Sequence, residues 1–263
     1  MSSKVRLDAL LVSKYPNKTR SYLQNYIKEG LVLVNDKVIS KPGLLVMDDS
    51  HITINDQSSY VSRGAYKLEA AYIAFELNFT DKTVLDIGAS TGGFTDFALQ
   101  HGAKHVYSVD VGSGQLVDSL KNNPKVTSLE QLNFRYATKE QLNNTIFDLV
   151  TIDVSFISLK PIFANLSQFC NENTEVIALI KPQFEAGLQY VGKNGLVKTM
   201  TGRSAAITNA TNEALAVGLY LVNLIESPLQ GSKSGNVEYL GYFLFNSKHK
   251  NAKIDMAKIV RGN

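Results

Sequence analysis

Val84-Leu-Asp86-Ile-Gly88-Ala-Ser90-Thr-Gly92-Gly93-Phe94-Thr95-Asp96 reads as an apolar strand closed by an acid, then a glycine-rich turn, then the opening of a helix. Glycines in such a turn can take φ > 0 and leave backbone amides open to a ligand of nucleotide size. A dinucleotide site of the G-x-G-x-x-G kind would seat a pyrophosphate on the helix N-terminus. Here Ser90 holds the middle position and Asp86 precedes the glycines, which suits a partly cationic ligand without phosphate, such as S-adenosyl-L-methionine. Asp110 closes the next strand candidate, Tyr107-Ser-Val-Asp110, where a carboxylate can accept both hydroxyls of a ribose. Taken alone, Gly88, Gly92 and Gly93 are also what a bare strand-to-helix turn requires; the two acids at strand ends weigh toward a ligand.

Working outward, strands and helices alternate from Tyr60 onward, which predicts an α/β fold with a parallel sheet covered by helices. Strands are expected at 83–87, 105–110, 148–153, 175–180, 220–225 and 238–245, and helices at 94–99, 114–121, 160–169 and 204–219. Two more strand ends carry polar residues, Asp153 in Thr151-Ile-Asp153-Val-Ser-Phe156 and Lys181 in Leu179-Ile-Lys181-Pro-Gln-Phe-Glu185. Ligands of doubly wound sheets gather at the carboxyl ends of strands, so Asp86, Asp110, Asp153 and Lys181 are expected to face one crevice. Each also has a plain reading: Asp153 as a helix cap, and Lys181 as a stem reaching solvent.

The first residues read differently. Leu7, Leu10 and Leu11, then Tyr22, Leu23, Tyr26 and Ile27, recur at helical spacing on either side of Tyr15-Pro16-Asn17. Strands are expected at 31–34 and 51–54, with a turn at Asn35-Asp36. The polar stretch 55–59 marks the boundary between a small α+β unit, 1–59, and a larger one, 60–263. Charge follows the same division. The chain has 263 residues and a net charge of +3, yet residues 1–47 hold eight Lys and Arg against three acids, +5, which leaves −2 for the remainder. A basic head on a near-neutral body suits polyanion binding at one end and chemistry at the other.

Composition removes several classes. One cysteine, Cys170, allows neither an internal disulfide nor a cysteine-based zinc site, and points to a reducing, cytoplasmic setting. The longest apolar stretch, 214–225, is too short to span a bilayer, and no secretory signal is evident. His101 and His105 lack a third ligand nearby, so no metal is expected.

In chain order, Val61-Ser-Arg63-Gly-Ala-Tyr-Lys67-Leu68, Asp86 to Asp96, Asp110-Val-Gly112 with Gly114-Gln-Leu116, Asp153-Val-Ser-Phe156, Lys181-Pro-Gln-Phe184 and Ser234-Gly-Asn-Val-Glu238-Tyr239 resemble the TlyA-type proteins. These are often labelled hemolysin A and look like ribosomal RNA ribose 2′-O-methyltransferases of the FtsJ superfamily. Arg6-Leu-Asp8-Ala-Leu-Leu-Val12, Thr19-Arg20-Ser21 and Ile27-Lys-Glu-Gly30-Leu-Val-Leu-Val-Asn35 resemble an S-four-type RNA-binding domain, with Asp36 standing where the family usually has glycine.

The resemblance implies a class I, Rossmann-like S-adenosylmethionine-dependent sheet and a Lys-Asp-Lys-Glu tetrad at Lys67, Asp153, Lys181 and Glu238. Lys181 would be the base, Lys67 the second cation orienting the hydroxyl, and the carboxylates would hold both lysines. Cofactor contacts would come from Asp86, Gly88, Ser90, Gly92, Gly93, Phe94, Thr95, Asp110, Val111 and Asn133. Arg6, Lys14, Lys18, Arg20, Lys28, Lys37, Lys41 and Arg63 would meet RNA. Val154 and Ser155 replace the prolines of the loop with which base methyltransferases hold a target base, which favours a ribose acceptor, cytidine by resemblance. A ribosomal RNA or subunit would be the partner. Two other classes compete: a membrane-active hemolysin, and an RNA-binding protein that has kept the cofactor fold without catalysis.

Overall fold

The computed structural model describes residues 3–16, 20–28, 30–54, 59–230, 235–245 and 251–260. Lys18, most of the 55–59 boundary and Ser234 lie outside the described residues.

The N-terminal unit comprises β1 (Lys4–Arg6), α1 (Leu7–Lys14), α2 (Arg20–Lys28), β2 (Val32–Val34), β3 (Lys37–Val38), β4 (Leu45–Met47) and β5 (Ile52–Ile54). Leu7, Leu10 and Leu11 pack on Leu23 and Ile27, and Val32, Val34 and Val46 close a small core. β2 pairs antiparallel with β3 and β5, while β1 pairs with β4; β1 and β4 are too short and too mixed in polarity to be expected from alternation. The β2–β3 connection is the two residues Asn35 and Asp36, with φ of 49° and 63°. Two left-handed residues make the turn whose twist matches the flanking strands. Asn35 also accepts the His51 backbone N–H through Oδ1, at 3.0 Å.

The larger unit continues with α3 (Ala65–Phe75), β6 (Thr83–Ile87), α4 (Gly93–Gln100), β7 (His105–Val109), α5 (Asp118–Lys121), β8 (Val126–Leu129), β9 (Leu149–Ile152), α6 (Lys160–Leu166), β10 (Glu175–Ile180), α7 (Pro182–Glu185), α8 (Met200–Ala216), β11 (Leu219–Glu226), β12 (Tyr239–Phe245) and α9 (Met256–Val260). The seven-stranded sheet has the order β11-β12-β10-β9-β6-β7-β8. The strands from β8 to β10 run parallel, as expected, but β12 is antiparallel to both β10 and β11. The expected parallel sheet is thus present in five strands, with β12 reversed beside them. An antiparallel pair needs no crossover helix, and none of the described elements lies between β11 and β12.

Central strands are apolar on both faces because both are covered. Leu85, Ile87, Val150, Ile152 and Ala178 meet one layer, while Val84, Leu149, Ile177 and Leu179 meet the other. The helix expected at 114–121 shrinks to α5, since Gly114 takes φ 62° and the chain before Asp118 is loop. The one expected at 204–219 begins earlier, at Met200, where Thr199 Oγ1 accepts the Gly202 N–H at 3.1 Å. Successive strands run outward from β6 to β8, and the chain then returns to lay β9 on the other side of β6. That reversal opens a crevice beyond the carboxyl ends of β6 and β9.

Asp36 holds a left-handed conformation that glycine adopts without steric cost. Asp36→Gly is therefore expected to raise stability by about 0.5–1 kcal/mol, read as a higher urea midpoint with unchanged slope.

Candidate active site

The crevice is built where two strand ends touch. Asp153 N–H donates to the Ile87 carbonyl at 3.0 Å, and Gly88 N–H donates to Val109 at 2.8 Å. Gly88 has φ 87°, and a Cβ there would stand 2.5 Å from the Asp153 carbonyl oxygen. Gly92, at φ 99°, would drive a Cβ to 2.3 Å from Leu120 Cδ1. Ser90, between them, is also left-handed. Asp110 Oδ2 accepts the Ser90 N–H at 2.8 Å and its Oδ1 accepts the Gly112 N–H at 2.7 Å, so this carboxylate braces the turn. Val111, next to it, is exposed.

Three of the expected ligand contacts hold hydrogen bonds within the protein. Asp86 does not line the crevice. It is buried beneath the turn, accepting from Thr95 Oγ1 at 2.7 Å and Thr151 Oγ1 at 3.0 Å. Thr95 is itself fully buried and lies 2.6 Å from Ser108 Oγ, so it ties the first turn of α4 to β6 and β7. The Asn133 side chain caps a short helical turn at 134–136 by accepting the Arg135 N–H at 3.2 Å. A strand's last residues alternate faces, and motif order alone did not reveal which of them turned inward. Burial pushes the Asp86 carboxyl up to about 7, against the Thr95 and Thr151 donors.

The four expected tetrad residues do come together. Lys67, on α3, places Nζ 2.8 Å from Glu238 Oε2 and 3.6 Å from Asp153 Oδ2. Lys181, one residue beyond β10, places Nζ 2.6 Å from Asp153 Oδ1 and 2.7 Å from Ser155 Oγ. The Lys181 and Glu238 side chains are only 8% and 3% exposed, so each meets a partner within the protein in place of water. Burial alone would raise the Asp153 carboxyl, but the Lys181 and Lys67 charges outweigh it and hold it at about 2. A cleft of about 720 Å³ takes Gly88, Ser90 and Phe94 on one wall and the four tetrad residues on another. Lys28, Ser40 and Arg63 also line it, so the N-terminal unit reaches its rim. Phe156 lines it as well, at φ 65° and 75% exposed.

The described basic residues of the N-terminal unit are exposed, and two are organised around one buried acid. Asp8 accepts from Arg6 at 2.9 Å, from Arg20 at 3.0 Å and from Gln24 at 2.7 Å, with Arg6 first among the groups that hold its carboxyl well below the usual range. Lys14 Nζ reaches the Ser50 carbonyl at 3.4 Å. Lys28, Lys37 and Lys41 are exposed. His101 stacks on Phe97 and His105 bonds Thr127 Oγ1; among the described residues no group of three or more His, Cys, Asp or Glu could hold a metal. No helix of the described residues is long and apolar enough to cross a membrane.

Gly88→Ala adds left-handed strain to a backbone clash, and is expected to cost about 2–4 kcal/mol in denaturant unfolding. Asp86 carries a different signature. Its folded pKa lies above the ordinary carboxylate value, so the folded state binds the proton more tightly and stability falls as pH rises from about 4 to about 7. Asp86→Asn, measured by urea unfolding across that window, should flatten the fall by as much as about 1.4 kcal/mol per pH unit. Parallel pH profiles in the two proteins would mean that Asp86 does not titrate there.

Residues 60–245 match the FtsJ-like methyltransferase family model, and residues 5–55 match that of the S4 domain. The chain is 38% identical over 241 residues to the 16S/23S rRNA (cytidine-2′-O)-methyltransferase TlyA of Mycobacterium tuberculosis, covering 91% of this chain and 89% of that one. It is 39% identical over 240 residues to Hemolysin A of Brachyspira hyodysenteriae, covering 91% and 100%. A solved Streptococcus thermophilus structure that bears a hemolysin label superposes with a TM-score of 0.79 at 38% identity, over 98% of this chain and 94% of that one. With its larger unit matched almost end to end and its relatives alike over nine-tenths of its length, the chain belongs to the FtsJ-like methyltransferase family.

Proposed function

We propose that this protein transfers a methyl group from S-adenosylmethionine to a ribose 2′-hydroxyl of ribosomal RNA, with cytidine as the acceptor nucleotide. The observation that carries the reading is the paired Lys67–Glu238 and Lys181–Asp153 cluster, set in one cleft with the glycine turn. The turn fits the cofactor by its chemistry. It brings the bare backbone of Gly88 and Ser90 to the cleft wall, and beside them stands the Asp110 carboxylate, suited to ribose hydroxyls. When bound there, the cofactor supplies an electrophilic methyl on a sulfonium.

The chain's residues supply the rest. A ribose hydroxyl is a weak nucleophile until its proton is accepted. Lys181 is the base, and Asp153 fixes its amine at the cleft wall. Lys67, held by Glu238, is the second cation beside the acceptor oxygen and stabilises the charge that develops on it. Burial of these groups excludes water that would otherwise compete for the methyl. The exposed arginines anchored on Asp8, with Lys37 and Lys41, form a basic surface suited to the phosphates of a folded RNA. The TlyA relatives named for rRNA cytidine-2′-O-methylation support both the RNA and the position of the methyl.

Purified protein is expected to methylate ribosomal subunits that lack the modification when given labelled S-adenosylmethionine, with label mapping to a ribose. Lys181→Ala should lower single-turnover methyl transfer by about 10²–10⁴-fold while cofactor binding, read by calorimetry, stays within a few fold. Near-normal transfer by that variant would remove Lys181 from the role of base.

A further inference from the structure

Lys181 touches one polar side chain outside the tetrad, and that contact is with the part of the site nearest solvent. Ser155 Oγ accepts a hydrogen bond from Lys181 Nζ at 2.7 Å, while Asp153 Oδ1 lies 2.6 Å from the same nitrogen on its carboxylate side. The Lys181 side chain is 8% exposed, whereas Ser155 is an exposed residue on the cleft wall. The loop that carries Ser155 is built with care. It leaves β9 against the bare backbone of Gly88 and turns at Phe156, a bulky residue held at φ 65°. Strain of that kind persists where surrounding structure fixes a local geometry, and it gathers at functional sites.

Resting on the function proposed above, we infer that Ser155 is a positioning residue for Lys181, and that its hydroxyl carries the acceptor's proton from the buried amine to solvent. Two of the three N–H directions of an ammonium at Nζ are taken by Asp153 and Ser155, which leaves one for an acceptor hydroxyl in the cleft. With the nitrogen pinned on two sides, its remaining lone pair or N–H has a fixed aim, and a base held in the reacting geometry loses little in orientation.

The proton balance follows. The 2′-oxygen forms a bond to the methyl carbon as the carbon–sulfur bond breaks with its electron pair left on sulfur. The 2′-O–H bond breaks and that proton joins the Lys181 amine. In the same step an N–H bond of that nitrogen breaks toward Ser155 Oγ while the serine's own proton passes to a water molecule outside the cleft. The amine is restored and the serine is unchanged.

The test compares Ser155→Ala and Ser155→Thr with the unaltered chain in single-turnover methyl transfer to unmodified ribosomal subunits, in H₂O, D₂O and their mixtures. Ser155→Ala is expected to be slower by about tenfold or more, short of the 10²–10⁴ that losing the proton acceptor itself costs, because water can fill part of the gap. Its KM for RNA and its affinity for cofactor should stay within about twofold. Ser155→Thr keeps the hydroxyl and should recover most of the rate. The dependence of rate on deuterium fraction should be curved in the unaltered chain, where three protons move together, and closer to linear in Ser155→Ala. A Ser155→Ala rate equal to that of the unaltered chain, a Ser155→Thr variant as slow as Ser155→Ala, or a linear dependence in the unaltered chain would each overturn the inference. Absence of transfer by the unaltered chain on every subunit tried would overturn instead the function on which it rests.

Discussion

The carbonyl of Asp153 occupies the space where a side chain of residue 88 would be. That single backbone-to-backbone approach, at the point where the sheet reverses its order, lets two loops from different strands share one wall. One loop is the glycine turn and the other holds the carboxylate between two lysines. Were residue 88 any larger, the two strand ends would part, and the distance between a ligand on the turn and a hydroxyl at Lys181 would be set by whatever filled the gap. In-line displacement tolerates errors of well under an ångström in such distances. Gly88 is therefore required by the packing that joins the two loops.

The second constraint is electrostatic. Two ammonium and two carboxylate groups are packed into a largely dry wall, where each would be costly alone. Asp153 lies between both lysines, so its ionisation is secured by two neighbours, whereas Glu238 is seen with one. Loss of either carboxylate leaves a buried cation short of a partner, a more expensive change than the value of the pair itself.

Much of this was legible in the residues. Apolar runs of five or six residues announced β6, β7, β9 and β10; of the polar residues closing them, Asp153 and Lys181 line the crevice and Asp110 braces the turn beside it. Lys67 and Glu238 were placed by resemblance to known motifs, because nothing local in α3 or at the head of β12 says that they meet. What periodicity could not reveal was direction. β12 reads like any other buried strand, yet runs against its neighbours; Asp86 and Thr95 read like ligand contacts, yet turn inward to each other. Ser155 carried no signal of its own, since a serine after a strand has many uses and only the approach of Lys181 singles one out. The short strands β1, β4 and β8 escaped because three or four residues of mixed polarity satisfy neither period.

The reversed direction of β12 brings its first end to the edge where the parallel strands have their last, and so delivers Glu238 to the cleft. Lys67 and Glu238 are separated by 171 residues of chain. A nascent polypeptide leaving the ribosome displays its basic head, its glycine turn and both lysines well before the partner of Lys67 has been made. Until β12 inserts between β10 and β11, the sheet edge is open and one buried cation lacks its carboxylate. The wall that holds Lys67 and Glu238 is thus complete only once β12 is in place, late in the chain.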